Sequence, residues 1–442
     1  MELRDLIVTP LVVMMVYAVA YVIRPYATDK KTQRYFIPAL TLKMIGAVFL
    51  GVLYQFYYNG GDTFYYHTYG SRVMWDAFMN DFFVGLNLFF SNDEFIPGAY
   101  KYIKLMSLYQ DAPSFAVIRI ATVLDLFTYS TYSATAILFS LISFSGSWAM
   151  FVTFYRRYRQ LHFQIAIGTL FIPSVVFWGS GILKDTIVLA ALGYSVYCID
   201  RIFILHRVTI FNTALLLISL FLIYSIKKFI LQAFIPSAIL WIYFKHLVGI
   251  RSTVLKIMIA PLVISVFIVT AYYSVIKVGE GDTRYSIEQL AKTAQVTAYD
   301  IRYWTGGEAG SGYSLGELDG TFSSMFRLAP QAINVSLFRP YLWEVKNPLM
   351  LLSALEGFVF LALTIYVIAK WKFRVLDSLL DPNVVFCLTF SIAFAFAVGI
   401  STFNFGTLAR YKIPLLPFYF LGLVLMGFQN KTYTEKSEID DN

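Results

Sequence analysis

The stretch Asn59-Gly60-Gly61-Asp62-Thr63 places a carboxylate where a long apolar run stops and a more polar segment begins. Paired glycines remove side-chain bulk and open backbone conformations closed to other residues, so Asp62 can be presented on a tight turn. A carboxylate held there can take a proton from a hydroxyl. The same residues also read as a plain helix stop followed by an N-cap. Positive charge recurs at other breaks in the apolar pattern: Lys184 and Asp185 follow the glycine-broken Gly179-Ser180-Gly181, and Arg339, Glu344, Arg410 and Lys412 flank later apolar runs. Cationic side chains beside low-dielectric walls hold phosphate, and the planar arginine fork pairs with two phosphate oxygens at once. Acid and base together suit an attacking hydroxyl that loses its proton as a phosphate departs. Plainer readings stand beside this one. Lys184 and Asp185 also suit a salt bridge at a helix start, and Lys227-Lys228 suits contact with anionic headgroups or a lipid phosphate.

The elements that must position these groups are membrane spans. Of 442 residues, 58% are hydrophobic and 14% charged, and the mean hydropathy is +0.64, far from a soluble domain. Apolar runs near the ~20 residues needed to cross a bilayer number about 11, among them residues 162–178 and 257–276. The reading is therefore an all-α polytopic bundle, with one membrane domain over residues 1–442. Basic clusters at Arg24, Lys30, Lys31 and Arg34, at Arg156, Arg157 and Arg159, and at Lys370, Lys372 and Arg374 mark cytoplasmic loops. That parity puts the N-terminus outside, the 429–442 tail in the cytoplasm, and Asp62, Lys184, Asp185, Arg339, Glu344, Arg410 and Lys412 on the outer side. Residues 63–114 read as an external helical cap with interfacial amphipathic helices, and residues 277–347 as a long external loop. Lys43, early in the second span, is expected to snorkel to the inner interface. His67 is expected to be a solvated interfacial histidine, and Glu356 to face the bundle interior.

Several function classes are disfavoured. The net charge of +8 resides in short loops, where it sets orientation, so nucleic acid is not an expected partner. Cys198 and Cys387 lie in apolar runs, against a disulfide frame or a thiolate cluster. The glycine-rich 306–320 stretch lacks the lysine register of a phosphate loop, and no HExxH is present. No cofactor and no metal are expected, although Asp62 with Asp185 could hold a divalent ion.

Asn59-Gly60-Gly61-Asp62-Thr63 with Tyr66, Ser180-Gly181-Ile182-Leu183-Lys184-Asp185, and Asn404-x-Gly406-Thr407-x-x-Arg410-Tyr411-Lys412-x-Pro414 together resemble bacterial polysaccharide-assembly membrane proteins. The likeness is to GT-C-type glycosyltransferases and the related Wzy-type or EpsG-like polymerases. It implies a polyprenyl-phosphate-linked sugar donor, a saccharide acceptor, a bacterial inner-membrane location and contact with membrane lipids and other envelope-biosynthesis proteins. It casts Asp62 as base and Lys184, Arg339, Arg410 and Lys412 as phosphate ligands, with Gly61, Thr63, Tyr66, Asp185 and Glu344 in support. The chain departs from the common GT-C pattern in carrying its acid after a second span, as Gly-Asp-Thr instead of paired acids, which leaves transferase and polymerase both open. Two other classes compete. A lipid-linked saccharide flippase would need polar residues continuing through the bilayer and related halves. A structural subunit of an envelope complex would use its outer loops to bind protein.

Overall fold

The computed structural model describes residues 3–91, 96–248, 311–316 and 321–440, with single positions at 292, 295 and 296. Among these residues the chain is an all-α membrane helix bundle, with no strand beyond one isolated bridge between Gly312 and Asn404. Among the described residues eight helices are long and apolar enough to cross a bilayer, and a bent pair supplies a ninth crossing if its halves make one span. The helices group into two compact units.

The first unit comprises Met1–Cys198 and Thr209–Lys227. It holds α1 (Leu3–Ala27), α2 (Gln33–Phe56), the short α3 (Asp62–Tyr66), α4 (Arg72–Asn80), α5 (Phe82–Phe90) and α6 (Tyr100–Ile103), then α7 (Ala112–Thr128), α8 (Tyr132–Arg157), α9 (His162–Ala166), α10 (Pro173–Trp178), α11 (Lys184–Ile199) and α12 (Ile210–Lys227). Side-chain caps set several starts. Asp111 accepts from the Ser114 amide at 3.1 Å, and Asp81 from the Phe83 and Val84 amides at 3.0 and 3.2 Å. Helix α2 lies along α8, where Phe36 meets Phe144 and Trp148 edge-on. Helices α8 and α11 touch through small residues: a Cβ on Gly193 would stand 2.1 Å from the Gly146 carbonyl oxygen. Such backbone contact is how apolar helices associate without a hydrophobic drive.

The second unit comprises Ile199–Val208 and Lys228–Asn442. It holds α13 (Phe229–Val248), α14 (Phe322–Arg327), α15 (Ala329–Phe338), α16 (Pro348–Trp371), α17 (Pro382–Thr402), α18 (Phe405–Tyr411) and α19 (Leu416–Asp440). Helix α17 is its centre, packed by α13, α15 and α19. Trp241 stacks on Phe386 at 4.5 Å and donates its indole N–H to Asn383 Oδ1 at 3.0 Å. Asn347, Asp381 and Asn404 cap α16, α17 and α18, and Pro348 and Pro382 occupy first-turn positions that need no N–H.

Two expected spans need comment. Residues 162–178 do not cross as one helix: α9 runs into a π-helical turn and stops, and α10 starts afresh at Pro173. Proline disfavours helical backbone in the residue before it, and Ile172 is extended at φ −63° and ψ 123°. Residues 257–276 lie outside the described residues, as do 277–291, 293–294, 297–310 and 317–320 of the 277–347 loop. Glu356 is buried, as expected.

Lys43 does not snorkel. It is 1% exposed, and its Nζ donates to Ser143 Oγ at 3.0 Å and to the carbonyl oxygens of Val175 and Gly179 at 2.9 Å each. Those two carbonyls belong to the final turn and end of α10, where helical partners run out. The broken helix thus creates acceptors inside the unit, and the lysine chain turns inward to meet them. Lys43→Met should lower unfolding stability in detergent by about 1–3 kcal/mol for each acceptor left dry, read as a fall in the thermal midpoint. The same change at exposed Lys31 should leave the midpoint in place.

Candidate functional site

Within the first unit the Asp62 turn is built as its glycines require. Gly60 and Gly61 have φ of 126° and 122°, and Asp62 is the first residue of α3. Thr63 is fully buried, and its hydroxyl pairs with the Tyr132 hydroxyl at 2.7 Å. Phe64 stacks on the Tyr132 ring at 5.0 Å, and Tyr66 is buried. Tyr132 opens α8, so the start of a long helix clamps the turn that carries the half-buried Asp62.

Lys184 and Asp185 separate. Lys184 Nζ reaches Asp111 Oδ2 at 3.0 Å, with the lysine 21% and the aspartate 45% exposed. Burial would raise the Asp111 carboxyl, but Ser114 and Lys184 outweigh it and hold it below the ordinary aspartate range. Asp185 turns inward and pairs with Lys227, both buried. A headgroup or lipid-phosphate role for Lys227 is therefore corrected. Its charge is met inside the protein, which also explains a lysine at a helix tip where the charge pattern disfavours one.

His67 is also corrected. It is buried, not solvated, with Nε2 3.5 Å from Asp125 Oδ1, and the carboxylate is fully buried too. Neither ring nitrogen makes a hydrogen bond among the described residues, whereas Asp125 accepts from the Thr135 hydroxyl at 2.6 Å. A π-helical turn over His67–Ser71 brings the imidazole edge-on to Tyr132, 5.4 Å between centroids. Such turns occur often at functional sites.

In the second unit Arg339 and Glu344 pair on the turn after α15 and Lys412 reaches that turn, whereas Arg410 lies on α18. Arg339 donates from Nε to Glu344 Oε1 and Oε2 at 3.1 and 3.0 Å, and from Nη2 to Oε1. Glu344 Oε2 also accepts from the Tyr341 amide at 2.8 Å. Phe405, Tyr313 and Tyr341 surround the guanidinium at 5.3, 5.8 and 5.9 Å. The bonds to Glu344 hold Arg339 above its usual range. Burial would raise Glu344, but Arg339 and the Tyr341 amide outweigh it and keep the carboxyl below the ordinary glutamate range. Lys412 is buried and donates to the Arg339 carbonyl at 3.5 Å. Arg410 is half-buried over the Tyr411 ring at 5.5 Å.

The described end of the long loop is pinned here. Ser311 O accepts from the Phe405 amide at 2.8 Å, and Phe403 O from the Tyr313 amide at 3.0 Å. Burial pushes the Tyr313 phenol up to about 12, so it stays a neutral donor toward Gly399 O at 3.2 Å. Asp111, Tyr132, Asp125, Tyr313 and Tyr341 were not singled out from the sequence. Of these only Asp111 carried a local signal, as an N-cap before Pro113.

The chain matches no known protein family, no curated protein and no solved structure.

Two outcomes follow from the pairings. Removing one member of the Asp185 and Lys227 pair strands a buried charge, so Lys227→Met should destabilise by about 3–5 kcal/mol. Combining it with Asp185→Leu should recover much of that loss, which a double-mutant cycle of unfolding midpoints would read. For Glu344, a lowered folded pKa means that pairing stabilises above the unfolded value and is lost as pH falls through the folded one. Acid should therefore loosen the 339–344 turn, seen as faster proteolysis there, while Glu344→Gln should show the looser turn at neutral pH.

Proposed function

We propose that the protein is a membrane glycosyltransferase or polysaccharide polymerase. It moves a sugar or oligosaccharide from a polyprenyl-phosphate-linked donor to a saccharide acceptor, on the periplasmic side of a bacterial inner membrane. The N-terminus lies outside and the C-terminal tail in the cytoplasm, following the basic clusters at Arg24, Arg156 and Lys370 and their neighbours. The acceptor hydroxyl oxygen bonds to the anomeric carbon as the anomeric C–O bond to phosphate breaks, its electrons staying on the phosphate oxygen. Asp62 takes the hydroxyl proton. Lys184 binds phosphate oxygens in the unit that carries Asp62; in the second unit Arg339 and Arg410 are offered to phosphate, and Lys412 holds the Arg339 backbone in place.

The observation that carries this reading is the fixed Asp62 turn: a half-buried carboxylate after two left-handed glycines, with the next residue clamped by Tyr132. A general base has to be held within reach of its proton, and this carboxylate has the rigid support that task requires. The short motifs that resemble those of polysaccharide-assembly proteins support the same class. A flippase would need polar groups left open along the spans, and Lys43, buried in the second span, already donates to three oxygens.

Asp62→Asn should lower sugar transfer from a polyprenyl-diphosphate donor by about 10²-fold or more, with membrane levels unchanged. Arg410→Ala should lower it chiefly through a raised donor KM. Undiminished transfer in both variants would remove this assignment, and loss of donor translocation with transfer intact would move the protein to the flippase class.

A further inference from the structure

The 339–344 turn carries a group that the roles above leave unused. Trp343 is 81% exposed, and its indole lies on the Tyr341 ring, with centroids 4.7 Å apart and planes 25° from parallel. Tyr341 in turn stands 5.9 Å from the Arg339 guanidinium carbon. Guanidinium, phenol and indole therefore succeed one another from a part-buried charge to an open aromatic face.

The platform is rigid. The Tyr341 hydroxyl accepts from Asn334 Nδ2 at 2.9 Å and donates to Asn334 Oδ1 at 3.1 Å. The Tyr341 amide is tied to Glu344, and the Glu344 amide donates back to the Tyr341 carbonyl at 2.9 Å. A ligand meeting this face pays little to order it. Arg339 spends Nε and Nη2 on Glu344. Its Nη1 makes no hydrogen bond among the described residues and remains a donor for an anion.

We propose that Trp343, backed by Tyr341, is a saccharide subsite that stacks the C–H face of a pyranose ring on its outer indole face. The chemistry is complementary. An indole face is electron-rich, and a pyranose presents on one side a set of C–H bonds whose positive ends point outward. The donor expected for this subsite rests on the reading of the protein as acting on lipid-linked sugars; the stacking itself does not. A tryptophan near a span also suits the interfacial lipid belt. Contact with brominated lipid separates that arrangement from a sugar subsite.

The test uses the full chain in nanodiscs, with Trp343 emission taken as wild type minus Trp343→Phe. Iodide should quench this emission. Millimolar methyl glucopyranoside, methyl galactopyranoside or methyl N-acetylglucosaminide should reduce the quenching at least about twofold in one case or more, as a stacked sugar shields one ring face. Nanodiscs of brominated phosphatidylcholine should leave the emission unchanged. Quenching by the brominated lipid, or no protection by any of the three glycosides, overturns the proposal. A transfer assay separates the two readings: Trp343→Ala should raise donor KM about tenfold or more with kcat little changed, consistent with lost stacking. Protection without any transfer would leave the subsite standing and remove the transferase; transfer without protection would do the reverse.

Discussion

A charged side chain among lipid-spanning helices must find partners inside the protein, and in the first unit that requirement is met by Lys43. Its three hydrogen bonds use the full donor capacity of a lysine ammonium. They join α2, α8 and the end of α10 at one buried point. The segment from Gly179 to Leu183, which delivers Lys184 and Asp185, leaves from that point. Helix α10 is only six residues long, so little else fixes where it ends. The amine is in effect the end cap of a helix too short to hold itself.

The same logic sorts the remaining charges. Asp185 and Lys227 are buried and paired, whereas Lys184 and Asp111 are part-exposed and paired. The buried pair ties the start of α11 to the end of α12, and the wetter pair ties α11 to the cap of α7. Adjacent residues in the sequence thus serve different tasks. One locks helix ends together, and its neighbour keeps a cation where a solute can meet it. In the second unit, Glu344 orients the Arg339 fork without covering all of it, and Lys412 supports the same residue from behind.

Much of the helical architecture was legible in the sequence, because about twenty apolar residues can hardly do anything else in a bilayer. Asn59 to Thr63 also told its own story, since paired glycines before an acid leave few backbone choices. What the sequence could not show were contacts made across long separations. Lys43 sits close to a basic loop and looks like a snorkelling residue, and only the break at Pro173 reveals the acceptors that draw it inward. His67 was expected in water, and the buried carboxylate beside it, Asp125, comes from a distant part of the sequence. Lys227 suited a headgroup contact, and its buried partner Asp185 lies 42 residues away.

One further consequence lies in the join between the long loop and α18. Ser311 and Tyr313 bond the backbone on either side of Asn404, the residue whose side chain starts that helix. The first turn of the helix bearing Arg410 is therefore fastened to Ser311, 93 positions before Asn404 in the chain.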